Sequence, residues 1–195
     1  MAHILTRTAL AAAALFAVPV ASAGNPHGDD LPVCPPAGVQ PDECLIALAD
    51  PGFEGDGSLL SWMPAPMNPA AARIDREGGK ARLELAPGGS VSQFVELPLG
   101  TAGDMDAYFV PSLFARSAGG NAQVELSISL QDDSGSHAVF SHVYTTQDDW
   151  TRPSGGFDAS QARGRPRSLL LQIIRRDKNG GTPLYVDDVQ VIRQR

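Results

Sequence analysis

Helical periodicity is missing from this sequence: past the first two dozen residues, no window keeps apolar residues at a 3.6-residue spacing. An excess of basic charge is missing too. Lys and Arg number 15 against 22 Asp and Glu, a net charge of −7, which argues against nucleic acid and anionic membrane as partners. No apolar run beyond residue 23 reaches spanning length, so no membrane insertion is expected. Catalytic signatures are equally scarce. There is no Gly-x-Ser-x-Gly elbow and no His-Glu-x-x-His pair, and the histidines outside the N-terminal segment are His27, His137 and His142. The adjacent acids Asp132-Asp133, Asp148-Asp149 and Asp187-Asp188 point opposite ways on an extended chain, unlike the facing carboxylates of a glycosidase. Gly78-Gly79 and Gly88-Gly89 join extended segments and do not open helices, so no phosphate-cradling loop is present. No enzymatic activity is expected.

Cysteine is limited to Cys34 and Cys44, too widely spaced and without a nearby His for redox or metal chemistry. In an oxidising compartment the expectation is a disulfide closing a small loop. Such a compartment is also what the N-terminus implies. His3 and Arg7 precede an apolar stretch from Ala9 to Val20, and Ala21-Ser22-Ala23 supplies small residues at the cleavage positions; residues 1–23 therefore read as a secretory signal, and the mature chain as secreted or periplasmic. Residues 24–43, rich in Pro, Gly and Asp, read as a surface leader pinned by the disulfide. Residues 44–195 suffice for one domain with its own core.

What that domain contains is a succession of short apolar runs separated by turn residues. The expected strands are 44–49, 71–75, 81–86, 91–97, 107–116, 122–131, 138–145, 151–158, 168–176 and 184–193, broken by pairs such as Gly78-Gly79, Gly119-Gly120 and Ser134-Gly135. Strands at this spacing predict an all-β, two-sheet antiparallel sandwich of the jelly-roll or immunoglobulin-like kind. In QVELSISLQ, Val124, Leu126, Ile128 and Leu130 alternate with Glu125, Ser127, Ser129 and Gln131, so one face meets the core and the other water. SLLLQII is apolar except for Gln172, which predicts a central strand. The acid run 131–137, QDDSGSH, lacks the ligand spacing of an EF-hand and reads as a hairpin tip.

Two stretches organise the whole. In ADPGFEGDG, a Pro-Gly pair breaks an apolar run and Glu54 follows Phe53 at a sharp corner; in LYVDDVQVI, Asp187 and Asp188 interrupt the last apolar run. Carboxylates inside a strand are costly unless they face water, a partner or a metal, so the two stretches are expected to meet at one site.

Taken in order, DPGFEGDG, GGKARLEL, SVSQFVEL, YFVPSLFARS, DWTRPSGGFDA and LYVDDVQVI resemble the carbohydrate-binding modules of the family 4 and 9 type and their galactose-binding-like relatives, over residues 45–193. The resemblance implies a jelly roll whose concave outer face cradles a polysaccharide or other glycan. It also implies a structural Ca²⁺ between the Gly-Phe-Glu turn and an acid of the last strand, which points to Glu54 and Asp188, with Asp50 and backbone oxygen near Gly79-Lys80 as further ligands. The alternative is that Glu54 caps local amides and Asp188 faces solvent. A sugar face needs an aromatic platform beside amide, carboxylate and guanidinium groups. Registering the alternation on Leu113, Phe114, Ala115 and Arg116 sends Phe114 and Arg116 outward. The candidate ligand contacts are then Tyr108, Phe114, Arg116, Glu125, Gln131 and Gln172, with packing for Phe114 and surface ion pairs for Arg116 and Glu125 as the alternatives. Aromatics make up only 6% of the chain, so a second reading stands beside the first: an extracytoplasmic structural or adhesion sandwich that binds protein.

Overall fold

In the computed structural model of the protein, residues 30–55, 59–97, 107–161, 164–177 and 181–195 are described. The expected secretory signal lies outside them. Among the described residues the chain forms eleven strands: β1 Glu43–Leu45, β2 Met63–Pro64, β3 Ala72–Glu77, β4 Lys80–Leu85, β5 Ser90–Glu96, β6 Tyr108–Ser117, β7 Gln123–Asp132, β8 Gly135–Thr145, β9 Phe157–Asp158, β10 Ser168–Arg175 and β11 Leu184–Gln194. The only helical structure among these residues is two 3-10 turns, Pro69–Ala71 and Ala159–Gln161. One sheet has six strands in the order β3-β4-β11-β6-β9, with β1 paired to the far half of β11; the other has five, β2-β5-β10-β7-β8. Every ladder is antiparallel. The expected all-β, two-sheet sandwich is the observed architecture.

Alternation builds the core. Val124, Leu126, Ile128 and Leu130 of β7 and Leu169, Leu171 and Ile173 of β10 are buried on one side, against Leu83, Leu85, Leu113, Ala115, Val186, Val189 and Val191 of the six-stranded sheet. Each such large side chain removed from water is worth roughly 1.5–3 kcal/mol, which is what holds two otherwise separate sheets together. β10 is central as its composition predicts, between β5 and β7. Its other face is also apolar at Leu170 and Ile174, both half-buried.

Two expected elements come out differently. The segment 151–158 is not a strand throughout. It touches β6 through isolated bridges at Thr151 and Ser154 and becomes regular only at β9; Pro153 lacks an amide hydrogen, and Gly155-Gly156 follows. The first strand ends at Leu45, where 44–49 was expected. Beyond it the chain leaves the ladder yet still follows β11: the Ile46 amide donates to the Val191 carbonyl (2.9 Å) and the Val189 amide to the Pro51 carbonyl (3.0 Å). The Cys34–Cys44 disulfide forms as expected. It ties the leader to β1, where the Cys34 amide donates to the Leu45 carbonyl at 2.8 Å.

Candidate functional site

The opening corner is folded by residues that sequence pattern alone marks as a turn. Asp50 and Phe53 adopt left-handed backbone conformations, φ 48° and 56°, an unusual state for side chains with a Cβ that the surroundings must enforce. Here Phe53 is buried against Trp62 with ring centroids 5.4 Å apart, and the Trp62 indole N–H donates to the Asp50 carbonyl at 3.0 Å. Glu54 Oε1 accepts the Ala81 amide at 3.1 Å. Asp187 lies at the same corner, since a Cβ built on Gly52 would stand 3.8 Å from both its Oδ1 and the Glu54 Cγ. Burial pushes the Asp187 carboxyl up to about 6, and the charges of Asp188 and Glu54 add to the shift. Neither Glu54 nor Asp187 makes a salt bridge among the described residues.

Asp188 and Asp50 are placed differently. The β11–β6 register shifts between Asp187 and Gln190, and Asp188, with φ 51°, is the residue that absorbs the shift. Its carboxylate accepts from Arg152 at 3.0 Å. The Asp50 carboxylate accepts the Gly55 amide at 3.1 Å, within its own turn. The acids that converge are therefore Glu54 and Asp187. No cluster of three or more His, Cys, Asp or Glu occurs among the described residues, so a cation here would draw its remaining ligands from backbone oxygen and water, as Ca²⁺ readily does.

The six candidate ligand contacts divide between two outer faces. Tyr108, Phe114 and Arg116 lie on β6 of the six-stranded sheet; Glu125, Gln131 and Gln172 lie on the five-stranded sheet. Phe114 and Arg116 do face outward, with Leu113 and Ala115 fully buried. Both are engaged there. The Arg152 guanidinium covers the Phe114 ring at 4.2 Å; Arg116 donates to Glu77 at 2.9 Å and lies over the Trp150 ring at 5.1 Å. With Arg82 3.8 Å above Tyr185, this face is an array of guanidinium groups on aromatic rings, held by internal ion pairs. Tyr108 closes over Gly156, where a Cβ would come within 2.1 Å of its Oη.

The outer face of the five-stranded sheet is built otherwise. Gln172 sits at its centre, opposite Ser92 on one side and Ser127 on the other, and Ser127 in turn faces Ser141. The Gln172 side chain makes no hydrogen bond among the described residues. Diagonal to it stands Phe94, 60% exposed and opposite Leu170. Glu125 is buried at the margin: burial pushes its carboxyl up, but hydrogen bonds from Arg176 and from Ser141 (2.7 Å) outweigh that and leave it below the usual range. Gln131 donates to Ser136 Oγ at 2.7 Å. The face thus combines an exposed ring, a free amide and a floor of small hydroxyls, with its interior charge already neutralised.

Phe94 escaped sequence reasoning, and of the Asp187-Asp188 pair expected at the corner, Asp187 and not the expected ligand Asp188 is the one turned there. The signal for Phe94 was present in SVSQFVEL: if Val91 and Val95 point inward, Gln93 must do so too and Phe94 must point out. Gln93 is 4% exposed, its amide bridging Ala49 and Ser61 backbone at 2.8–3.0 Å.

Among the described residues one Ser-His-Asp group occurs, at the β7–β8 hairpin. Ser134 Oγ and Asp132 Oδ1 both lie against the same His137 nitrogen, Nε2, at 2.9 and 3.2 Å. A proton relay needs the acid and the hydroxyl on opposite ring nitrogens, so this group clamps the hairpin and does not activate the serine.

No protein-family model and no curated protein matches the chain. Solved structures do. A structure described as "CBM4 structure and function" superposes with a TM-score of 0.54 at 14% identity, over 76% of this chain and 100% of its own. The fold is that of a carbohydrate-binding-module-like jelly roll. The CBM22-1 xylan-binding domain of Paenibacillus barcinonensis Xyn10C matches this jelly roll with a TM-score of 0.53 at 16% identity, over 80% and 97% of the two chains. A Stig cyclase, Fisc from Fischerella sp. TAU, matches with a TM-score of 0.59 at 10% identity, over 78% and 98%. The same jelly roll thus serves both carbohydrate binding and cyclase chemistry, so function has to be sought in the side chains.

Proposed function

We propose that the protein is an exported, non-catalytic module that holds a glycan chain on the outer face of its five-stranded sheet. The observation behind this reading is Phe94, 60% exposed, diagonal to a half-exposed Gln172 amide that has no hydrogen-bond partner among the described residues. An apolar ring beside a solvent-facing amide and a row of serine hydroxyls matches a sugar's alternation of C–H faces and hydroxyls. Structural neighbours that include carbohydrate-binding modules support it. The disulfide supports export, being stable where thiols are kept oxidised, and no helix among the described residues is long and apolar enough to cross a membrane. In this reading a structural Ca²⁺ joins the corner to β11. Glu54 and Asp187 fit one, because they converge without a neutralising salt bridge; their oxygens would hold the ion, and the ion would supply the missing positive charge.

The test is retention of immobilised xylan, mixed-linkage β-glucan and galactan by the protein and by Phe94→Ala and Gln172→Ala. Retention of at least one polymer, weakened in both variants, is expected; retention of none would favour the second reading, a sandwich that binds protein. That reading draws on the apolar exposure of the same face, where Met63, Phe94 and Val143 are between 44% and 60% exposed.

A further inference from the structure

The strands that end the two sheets are not closed off alike. β2 and β9 are two residues long, and β3 carries Arg73, Asp75, Arg76 and Glu77. Shortness and charge are the usual protections of an exposed edge. β8 has neither. It runs for eleven residues as the outer strand of the five-stranded sheet and contains no Lys, Arg, Asp, Glu or Pro.

Backbone hydrogen bonds fix which of its groups point outward. The Thr146 amide donates to the Ala122 carbonyl at 2.9 Å, towards β7, whereas the Gln123 carbonyl, opposite Thr145, accepts from the Arg176 amide at 2.9 Å, towards β10. Bonding alternates along an antiparallel strand. His142 and Tyr144 therefore turn their backbone groups to β7, and Ser141, Val143 and Thr145 turn theirs away. Those outward N–H and C=O groups have no hydrogen-bond partner among the described residues, and all three residues are exposed. The neighbouring segment does not cover them, since a cleft of about 430 Å³ lies between Val143–Gln147 and Thr151–Pro153.

This open stretch is bounded. The β7–β8 register shifts at Val139, between the pairs Ser129–Ala138 and Ile128–Phe140. Past Thr146 the chain crosses to the other sheet, where the Gln147 carbonyl accepts from the Ser117 amide at 3.0 Å. Residues 141–145 between these limits read Ser-His-Val-Tyr-Thr: hydroxyl, ring, Val, ring, hydroxyl. An antiparallel two-fold centred on Val143 sets Ser141 against Thr145, His142 against Tyr144 and Val143 against its own copy, like against like. It pairs every outward backbone group of Ser141, Val143 and Thr145. It also brings no charged residue opposite another, although the chain as a whole carries −7. A two-fold on His142 would instead leave Thr145 against the shift at Val139.

We propose that this edge pairs with a second copy of the chain, β8 against β8, joining two five-stranded sheets into one. Assembly stops there, because the ends of the joined sheet are the two β2 strands, each two residues long and ending in Pro64. The outer faces around Phe94 then lie side by side on one surface. The pairing does not depend on what those faces bind.

Sedimentation equilibrium reads the association. A contact confined to 141–145 falls below the roughly 1,200 Å² of standard interfaces, so a Kd on the order of 100 μM is expected. Val143→Pro removes an outward amide and spares the β7 ladder; it should weaken the dimer at least tenfold, with the monomer still folded by thermal melting. The register has a separate readout. Cys34 and Cys44 are joined to each other and no other cysteine is present, so an introduced cysteine is the sole free thiol. Under mild oxidation Val143→Cys should give a covalent dimer, and Ser141→Cys should not, because residue 141 faces 145 across the two-fold. A chain that stays monomeric at about ten times the expected Kd, a dimer that Val143→Pro leaves intact, or cross-linking as efficient at 141 as at 143 would overturn the proposal.

Discussion

Asp188 gives its carboxylate to Arg152, 3.0 Å away, and so leaves its neighbour Asp187 alone to face Glu54. One register shift in β11 turns two identical side chains to different tasks. Asp188 fastens the segment 150–153 to the six-stranded sheet. Asp187 becomes a half-buried acid with no salt bridge among the described residues, the Lys80 charge reaching it only from a distance.

That isolation sets a pH dependence. The Asp187 carboxyl titrates at about 6 in the folded chain against 3.8 for the free group. The native state therefore binds this proton more tightly than the unfolded state does. The destabilisation from the charge is fully present above about pH 6, fades between 6 and 3.8, and is absent below. Discounted for a carboxyl that solvent still reaches, it amounts to about 1–2 kcal/mol. Asp187→Asn should therefore melt higher than the parent at pH 7 in the presence of a chelator, and the gap should close towards about pH 4. A gap that does not change with pH would refute this assignment.

Calcium should reverse the comparison. Saturating calcium is expected to raise the melting temperature of the parent, by an amount equivalent to about 2.7 kcal/mol at a hundredfold excess over Kd. It should do little for Asp187→Asn or Glu54→Gln. Asp188→Asn and Asp50→Asn should keep the response, because those acids are turned to Arg152 and to the Gly55 amide. Thermal melts with calcium and with chelator separate the outcomes; identical parent melts would remove the ion.

The division of candidate contacts between the faces gives a third expectation. Phe94→Ala should lower glycan affinity about tenfold, the loss of one exposed stacking ring. Phe114→Ala and Arg116→Ala should leave it unchanged, since both side chains are on the opposite sheet and engaged with Arg152 and Glu77. Affinity electrophoresis against a retained polymer reads both. A loss confined to the β6 variants would move the site to the six-stranded sheet.

At the turn between β4 and β5, Gly89→Ala should destabilise by roughly 1–3 kcal/mol. A Cβ there would stand 2.4 Å from the Ala71 carbonyl oxygen and 2.9 Å from that of Ala86, both backbone atoms that cannot swing aside. Gly79→Ala meets no neighbour but keeps a left-handed backbone, φ 86°, so its cost is conformational and should be smaller. Denaturant unfolding of the pair would show the order.

Much of this architecture is legible in the sequence because period-2 alternation survives wherever one face is buried. β7 and β10 fall where QVELSISLQ and SLLLQII place them, and Phe114 points outward as registered. What escaped was carried by contacts remote in sequence. β2 is two residues long, too short for any period. Which of Asp187 and Asp188 turns to the corner depends on a shift of register that one strand cannot reveal by itself. Phe94 was hidden because Gln93 reverses the usual order, amide inward and ring outward, and Gln93 is needed inside to bind the backbone of the opening corner. The sheet to which each candidate contact belongs is a property of strand order, which alternation does not encode.

The six-stranded sheet is built around β11, which pairs with β4, β6 and β1, yet β11 is made after every other strand among the described residues. During translation the β3–β4 hairpin and β6 share no ladder, only the Arg116–Glu77 ion pair, until residues 184–194 arrive. A ribosome stalled before that point holds two flanks with a gap between them, and only the arrival of β11 lets the sheet close.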